Sequence, residues 1–193
     1  IPIVKHFRDI ENISLDAQYL AIGRTLELFG RFTSDFLIGR IITVFAVYAM
    51  SGPALAFTAF CILFGLSYIQ KYALTSLKEA IADKSQSPME IENELVFHSI
   101  LRFMLTGAVY ICFVIKGGNF SHAAGAFYIA AHCLIFISQS SLVPRAMFAG
   151  LITIIVSSLL GSVTEFISHN DFSPLGIVLF FGYAIFLIAE RII

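Results

Sequence analysis

Six apolar stretches set the rhythm of the chain, at residues 36–50, 54–69, 95–115, 123–139, 146–163 and 174–189. Each is continuous rather than alternating, which at these lengths reads as helix buried on all sides or facing lipid. A helix needs about 20 residues to cross a ~30 Å hydrocarbon core, so the shorter stretches must borrow interfacial residues or sit where the bilayer thins. Ahead of them, Leu15, Tyr19, Ile22, Leu26, Phe29 and Phe32 recur at threes and fours, with Asp16, Arg24, Glu27 and Arg31 elsewhere on the wheel. That spacing predicts an amphipathic helix, lying along the membrane surface or packed on a partner helix. The prediction is an all-α polytopic membrane protein of about six transmembrane helices in three hairpins. Residues 1–35 form an amphipathic cytoplasmic segment and residues 36–193 the membrane domain.

Breakers agree with this division. Ser51-Gly52-Pro53 joins the first two stretches through a residue that tolerates reversal and one that cannot continue a helical ladder. Residues 71–94 are the longest polar interval between stretches. Within it Pro88, at a first-turn position and followed by Glu90, marks the start of a helix running into the third stretch. The second and third helices are expected to project into the cytosol there, as a solvated extension or as a docking surface for a cytosolic domain.

Composition strengthens the membrane reading. Hydrophobic residues make up 58% of the 193 residues and charged residues only 13%, and the mean hydropathy is +0.87. A water-soluble domain of this size needs a polar exterior that such a composition cannot supply. The net charge of −1, with acids and bases interspersed, leaves no electrostatic footprint for nucleic acid. Cys61, Cys112 and Cys133 all fall inside apolar stretches, which argues against a disulfide framework or a cysteine metal centre. The beginning at Ile1-Pro2-Ile3 and the helical pattern at Glu190-Arg191-Ile192-Ile193 read as limits of an ordered region within a longer chain, with no signal peptide.

Orientation follows from Lys and Arg. With the N-terminus inside, Lys5, Arg8, Arg24, Arg31, Arg40, Lys71, Lys78, Lys84, Arg145 and Arg191 all collect on the cytoplasmic face and only Lys116 on the other. Both termini are therefore expected in the cytoplasm of a cell whose plasma, or inner, membrane holds the protein. A weak internal echo pairs Arg40 and Ala46-Val47-Tyr48 with Arg102 and Ala108-Val109-Tyr110 at the same spacing.

No Walker loop, dinucleotide fingerprint, His-Glu-x-x-His or Gly-x-Ser-x-Gly is present, so any catalytic activity is expected to lie in another domain. Candidate chemistry rests on ionisable residues in or near the apolar stretches, where such groups are rare. Glu94, His98 and Arg102 follow at i, i+4 and i+8 and share one helical face. They read either as an interfacial anchor, with Arg102 snorkelling back towards His98 and Glu94, or as a polar ladder switched by His98. His132, beside Tyr128 one turn earlier, sits near the middle of its stretch and invites a hydrogen bond to another helix, a ligand head group, or haem or metal. A lone histidine without a second ligand at i+4 is a weak metal signal, and an approach of His98 to His132 is not expected because the two lie at different depths. His132, Tyr128 and Tyr110 are the candidate ligand-binding residues. On the outer side, Lys116-Gly117-Gly118-Asn119 with Ser121 and His122, and Glu165 with His169, Asn170 and Asp171, read as two polar loops: solvated turns, or the mouth of a cleft.

With Arg145 opening the fifth stretch, Asp171-Phe172-Ser173-Pro174-Leu175 before the last, and Arg191 at its exit, the layout resembles the multi-span sensory inputs of bacterial histidine kinases and nucleotide cyclases, including the diffusible-signal-factor sensor kinases. The resemblance implies a sensor whose last helix continues into a dimeric cytosolic signalling domain, with a small hydrophobic ligand as input. It brings no kinase or cyclase residue onto this chain. The competing expectation is an accessory subunit of a membrane complex or a small transporter.

Overall fold

The computed structural model describes residues 14–35, 37–115, 118–140, 142–170 and 173–192, and every regular element among them is a helix. In chain order these are α1 (Leu15–Asp35), α2 (Leu37–Ser51), α3 (Pro53–Ala82), α4 (Pro88–Val114), α5 (Asn119–Ser140), α6 (Pro144–His169) and α7 (Ser173–Ile192). Each of the six apolar stretches corresponds to one of α2 to α7, with Phe36 outside the described residues and Ile115 just past the end of α4, and α1 covers the amphipathic stretch. By length and composition α3, α4, residues Phe120–Gln139 of α5 and residues Pro144–Ile167 of α6 are able to cross a membrane, while α2 is a shorter apolar helix of 15 residues.

The boundaries follow from local chemistry. Gly52, with φ of 88°, makes the reversal between α2 and α3, and Pro53 opens α3 at a position where its missing N–H is not needed. Ser87 caps α4 in a reciprocal pair: its hydroxyl accepts from the Glu90 N–H at 3.4 Å, and its own N–H donates to the Glu90 carboxylate at 2.7 Å. Between these helices the chain turns in a few residues, because α3 continues to Ala82 and α4 begins at Pro88. The 30 residues of α3 measure about 45 Å at 1.5 Å per residue, well beyond a hydrocarbon core, so its polar last turns stand clear of it.

Helix directions can be read from contact offsets. Glu92 meets Arg145, Phe103 meets Gly150, Gly107 meets Ser157, Ile111 meets Gly161, and Tyr110 meets Ser162. The sequence difference stays nearly constant along the pair, whereas antiparallel helices would hold the sum constant, so α4 and α6 run in the same direction with α5 as the return. Sequence-adjacent helices touch, but this α4–α6 seam is the most extensive helix contact among the described residues. Small residues permit it: a Cβ on Gly107 would run into Ser157, and one on Gly150 would lie 2.6 Å from the Phe136 ring and 2.7 Å from the Phe103 ring.

α1 docks against the bundle rather than standing apart from it. Ile22, Leu26 and Phe29 are buried, the Phe29 ring stacks on Phe136 of α5 at 5.7 Å, and α1 touches α3 and α4 as well. Its first turns meet the α3–α4 connection, where the Tyr19 hydroxyl donates to the Gln86 carbonyl at 2.8 Å and Lys84 reaches Asp16 at 3.3 Å. Arg145 pairs with Glu92 at 3.4 Å at the same end of the bundle, so Lys84 and Arg145 share a face, as the charge distribution predicts. The outward surface is apolar, with Phe45, Phe57, Tyr68, Phe127, Ile167 and Phe180 all exposed, as a bilayer environment requires.

Candidate functional site

Four helices and α1 close around a partly open cavity of about 60 Å³ in the half of the bundle that holds Lys84 and Arg145. α4 supplies Leu95, His98, Ser99, Arg102 and Thr106, a set that recurs at threes and fours and therefore forms one helical face. α5 contributes Tyr128, His132 and Phe136 at successive turns, α2 contributes Arg40, and α1 contributes Phe29. The α3 wall is mostly aliphatic, with Leu63, Leu66, Leu74 and Leu77 around the polar Ser67 and Gln70.

Arg102 dominates this space. Its residue is 9% exposed, and its guanidinium lies 5.8 Å from the Phe29 ring centre, 5.9 Å from Phe103 and 5.8 Å from Phe136. An aromatic cage of this kind holds a cation by ring quadrupoles while keeping it from water. The described lining contains Arg40, Arg102, His98 and His132 and no Asp or Glu. His98 Nδ1 and Ser99 Oγ are buried without a hydrogen-bond partner among the described residues. An apolar chamber with a cationic centre and spare hydrogen-bonding capacity suits a molecule with an apolar body and an anionic end.

Two groups of residues that were expected to act apart thus share one chamber. His98 and His132 both line it, although their different depths along the sequence had argued against any approach; α4 and α5 are adjacent and α3 leaves the space between them open. His132 Nδ1 engages the Tyr128 carbonyl of its own helix at 2.9 Å, and its ring lies 4.2 Å from that of Tyr128. Glu94 stays at the exposed rim and accepts from Gln86 Nε2 at 3.2 Å. Arg102 points into its aromatic cage within the bundle. No group of three His, Cys, Asp or Glu side chains placed to hold a metal occurs among the described residues.

Tyr110 belongs elsewhere. It is buried at the opposite end of the bundle, its hydroxyl 3.1 Å from Ser162 Oγ. Nearby, His122 Nε2 lies 3.7 Å from Glu165 Oε1, with the two side chains 1% and 3% exposed. The reading of Ser121, His122 and Glu165 as solvated loop residues is corrected here: α5 begins at Asn119 and α6 continues to His169, so all three are helical and buried. Polar residues flanking an apolar stretch had been assigned to turns, whereas the helices extend past the stretches and turn those residues inward. Lys116, Gly117 and Asp171 lie outside the described residues.

Arg40 is the lining residue that sequence reasoning used for orientation and for the internal echo, and not as a site residue. The signal was present, since an arginine inside the first turns of an apolar helix is a functional candidate by its cost alone. Ser67, Gln70 and Phe29 gave no such signal, because their role depends on which helices become neighbours. Compared with known proteins, the chain matches no family model, no curated protein and no solved structure.

Proposed function

We propose that the chain is a membrane-embedded sensory input domain of the kind it resembles in bacterial signalling proteins. In this reading it forms six spans in the inner membrane, with both termini cytoplasmic. The cavity between α3, α4 and α5 receives a small amphiphile with an anionic head, and occupancy changes helix packing so that α7 passes the change to a cytosolic output domain, in a homodimer or a complex with a partner membrane protein. The observation that carries the reading is the cage of Arg102 opening onto a chamber with an aliphatic α3 wall that also holds Arg40, His98 and His132. An aliphatic α3 wall favours an alkyl body, and the arginines favour an acidic end.

Ligand selectivity tests this. The purified protein in nanodiscs is titrated with a medium-chain carboxylate and with the neutral alcohol of the same length. A charge-assisted contact worth about 1.5–3 kcal/mol gives the carboxylate roughly a ten- to hundredfold advantage, and Arg102→Met removes that advantage. Equal affinity for the two compounds refutes the reading. The accessory-subunit or transporter alternative draws on the exposed Phe57, Phe60, Tyr68 and Tyr72 of α3, a face able to meet lipid or a partner. It gains if neither compound binds and the protein co-purifies with a membrane partner through that face.

A further inference from the structure

An open groove of about 600 Å³ runs between α1 and the polar last turns of α3, apart from the cavity. Asp16, Arg24 and Glu27 line it from α1, and Lys78 and Lys84 from α3. The two helices are antiparallel: Asp16, near the start of α1, meets Lys84 at 3.3 Å, whereas Phe29, near its end, shares the cavity wall with Leu74 and Leu77. That register brings Arg24 within about a turn of the level of Lys78, so two cations carried by different helices face the same groove. Lys84 is already engaged, with the Asp16 carboxylate and with the Tyr19 ring at 5.8 Å. Three basic and two acidic side chains line the groove, leaving one positive charge at the end where Arg24 and Lys78 stand with Glu27; the α3 acids Glu79 and Asp83 lie outside the lining.

Depth decides what this end of the groove meets. α3 is long and apolar enough to cross a membrane, and Tyr68 and Tyr72 stand exposed on it just ahead of its polar last turns, the position of an interfacial aromatic belt. Lys78 follows Tyr72 by six residues, about 9 Å of helix, and a lysine stem reaching back closes most of that distance. The headgroup layer is about 5–7 Å thick on each side of the hydrocarbon, so the Arg24 and Lys78 end of the groove lies beside it. Leu20, exposed, and Ile81, half-buried, give the same groove an apolar flank.

We propose that Arg24 and Lys78 clamp the phosphate of an anionic phospholipid drawn from the leaflet on the Lys84 and Arg145 side. A monoanionic headgroup such as that of phosphatidylglycerol balances the single positive charge of the groove, whereas a headgroup that carries its own cation does not. Held between the two helices, the lipid fastens α1 to α3 membrane-ward of the Asp16–Lys84 contact. The site is independent of the cavity and of what the cavity binds.

The test is a titration of the purified chain in neutral detergent with phosphatidylglycerol and with phosphatidylcholine of the same acyl chains, read as bound lipid by native mass spectrometry. Wild type is expected to prefer phosphatidylglycerol. Each cation removed should weaken its binding about fivefold, and Arg24→Gln with Lys78→Gln roughly thirtyfold. Glu27→Gln removes the acid that competes for the two cations and should tighten it. Gly23 also lines the groove, and a side chain added there meets nothing within 4 Å, so Gly23→Phe fits the fold, fills the space and should abolish the preference with every charge in place. Lys71→Gln with Arg145→Gln, which removes two cations outside the groove, should change binding less than twofold. Equal binding of the two lipids, a loss in this last variant as large as in the groove variant, a preference that survives Gly23→Phe, or displacement of the lipid by millimolar glycerol phosphate each overturns the proposal.

Discussion

Replacing Gly107 by Ala places a methyl group where α6 already has one. The added Cβ falls against Ser157 Cβ, with the Ser157 backbone carbon 3.6 Å behind it, so neither a rotamer change nor a small side-chain shift makes room. Ser157 is also held by its own bond to the Thr153 carbonyl, 2.7 Å. Ala gains about 1 kcal/mol over Gly in helix propensity, whereas overpacking a tight seam costs about 1–3 kcal/mol, so the net expectation is a loss of up to about 2 kcal/mol. Ser157→Gly should be mildly destabilising alone, by about 0.5 kcal/mol of propensity, but it vacates the space that the new methyl needs. The double variant should therefore be more stable than the two single changes predict, with a coupling of about 1–3 kcal/mol. With no tryptophan in the chain, unfolding is best followed by a thiol-reactive dye on Cys112 and Cys133, both buried, in a Cys61→Ser background. A shift of about 2–4 °C per kcal/mol makes the effect measurable. Additive behaviour, or a Gly107→Ala protein stabilised by the full propensity gain, would refute the α4–α6 register.

Other expectations follow from separate contacts. In native nanodiscs a lipid-soluble maleimide should label Cys61, which is exposed, and leave Cys112 and Cys133 untouched; labelling of all three by mass spectrometry would contradict the packing. Tyr19→Phe removes the hydroxyl that binds the Gln86 carbonyl and should weaken α1 docking by about 0.5–1.5 kcal/mol, seen as faster amide exchange in α1 while α4 is unchanged. Reporter fusions after Gly52 and after His169 should read as external, and fusions within Asp83–Pro88 as cytoplasmic; a cytoplasmic signal at His169 would end the six-span topology.

What the sequence revealed and what it hid divide along a physical line. Helix existence is local: the periodicity of Ile22, Leu26 and Phe29, the Gly52-Pro53 reversal and the helix start at Pro88 and Glu90 each sit within a few residues, and each marks an element found in the structure. The face shared by His98 and Arg102 was local too. Its meeting with His132 was not, because helix periodicity gives a direction relative to the axis and says nothing of which helix stands opposite. Depth misled in the same way: His122 and Glu165 looked like loop residues when apolar runs were taken as helix limits, although polar residues at a helix end can turn inward as readily as out.

α4 joins the two ends of the bundle, since Arg102 lines the cavity and Tyr110 stands by the His122–Glu165 pair two turns later, about 12 Å along the axis. Between them the Gly107–Ser157 contact leaves no slack for α4 to slide past α6. A ligand that displaces α4 at Arg102 must then move Tyr110 against Ser162, or carry α6 with it, and either movement changes the enclosure of Glu165. Coupling between two sites is reciprocal, so a change at the Tyr110 end of α4 must reach the cavity if a ligand in the cavity reaches Tyr110. Tyr110→Phe removes the hydroxyl beside Ser162 without touching the cavity lining. Communication through α4 therefore predicts that this variant binds the carboxylate probe with altered affinity. Identical affinity in the two proteins would mean that the two ends, though joined by one helix, act separately.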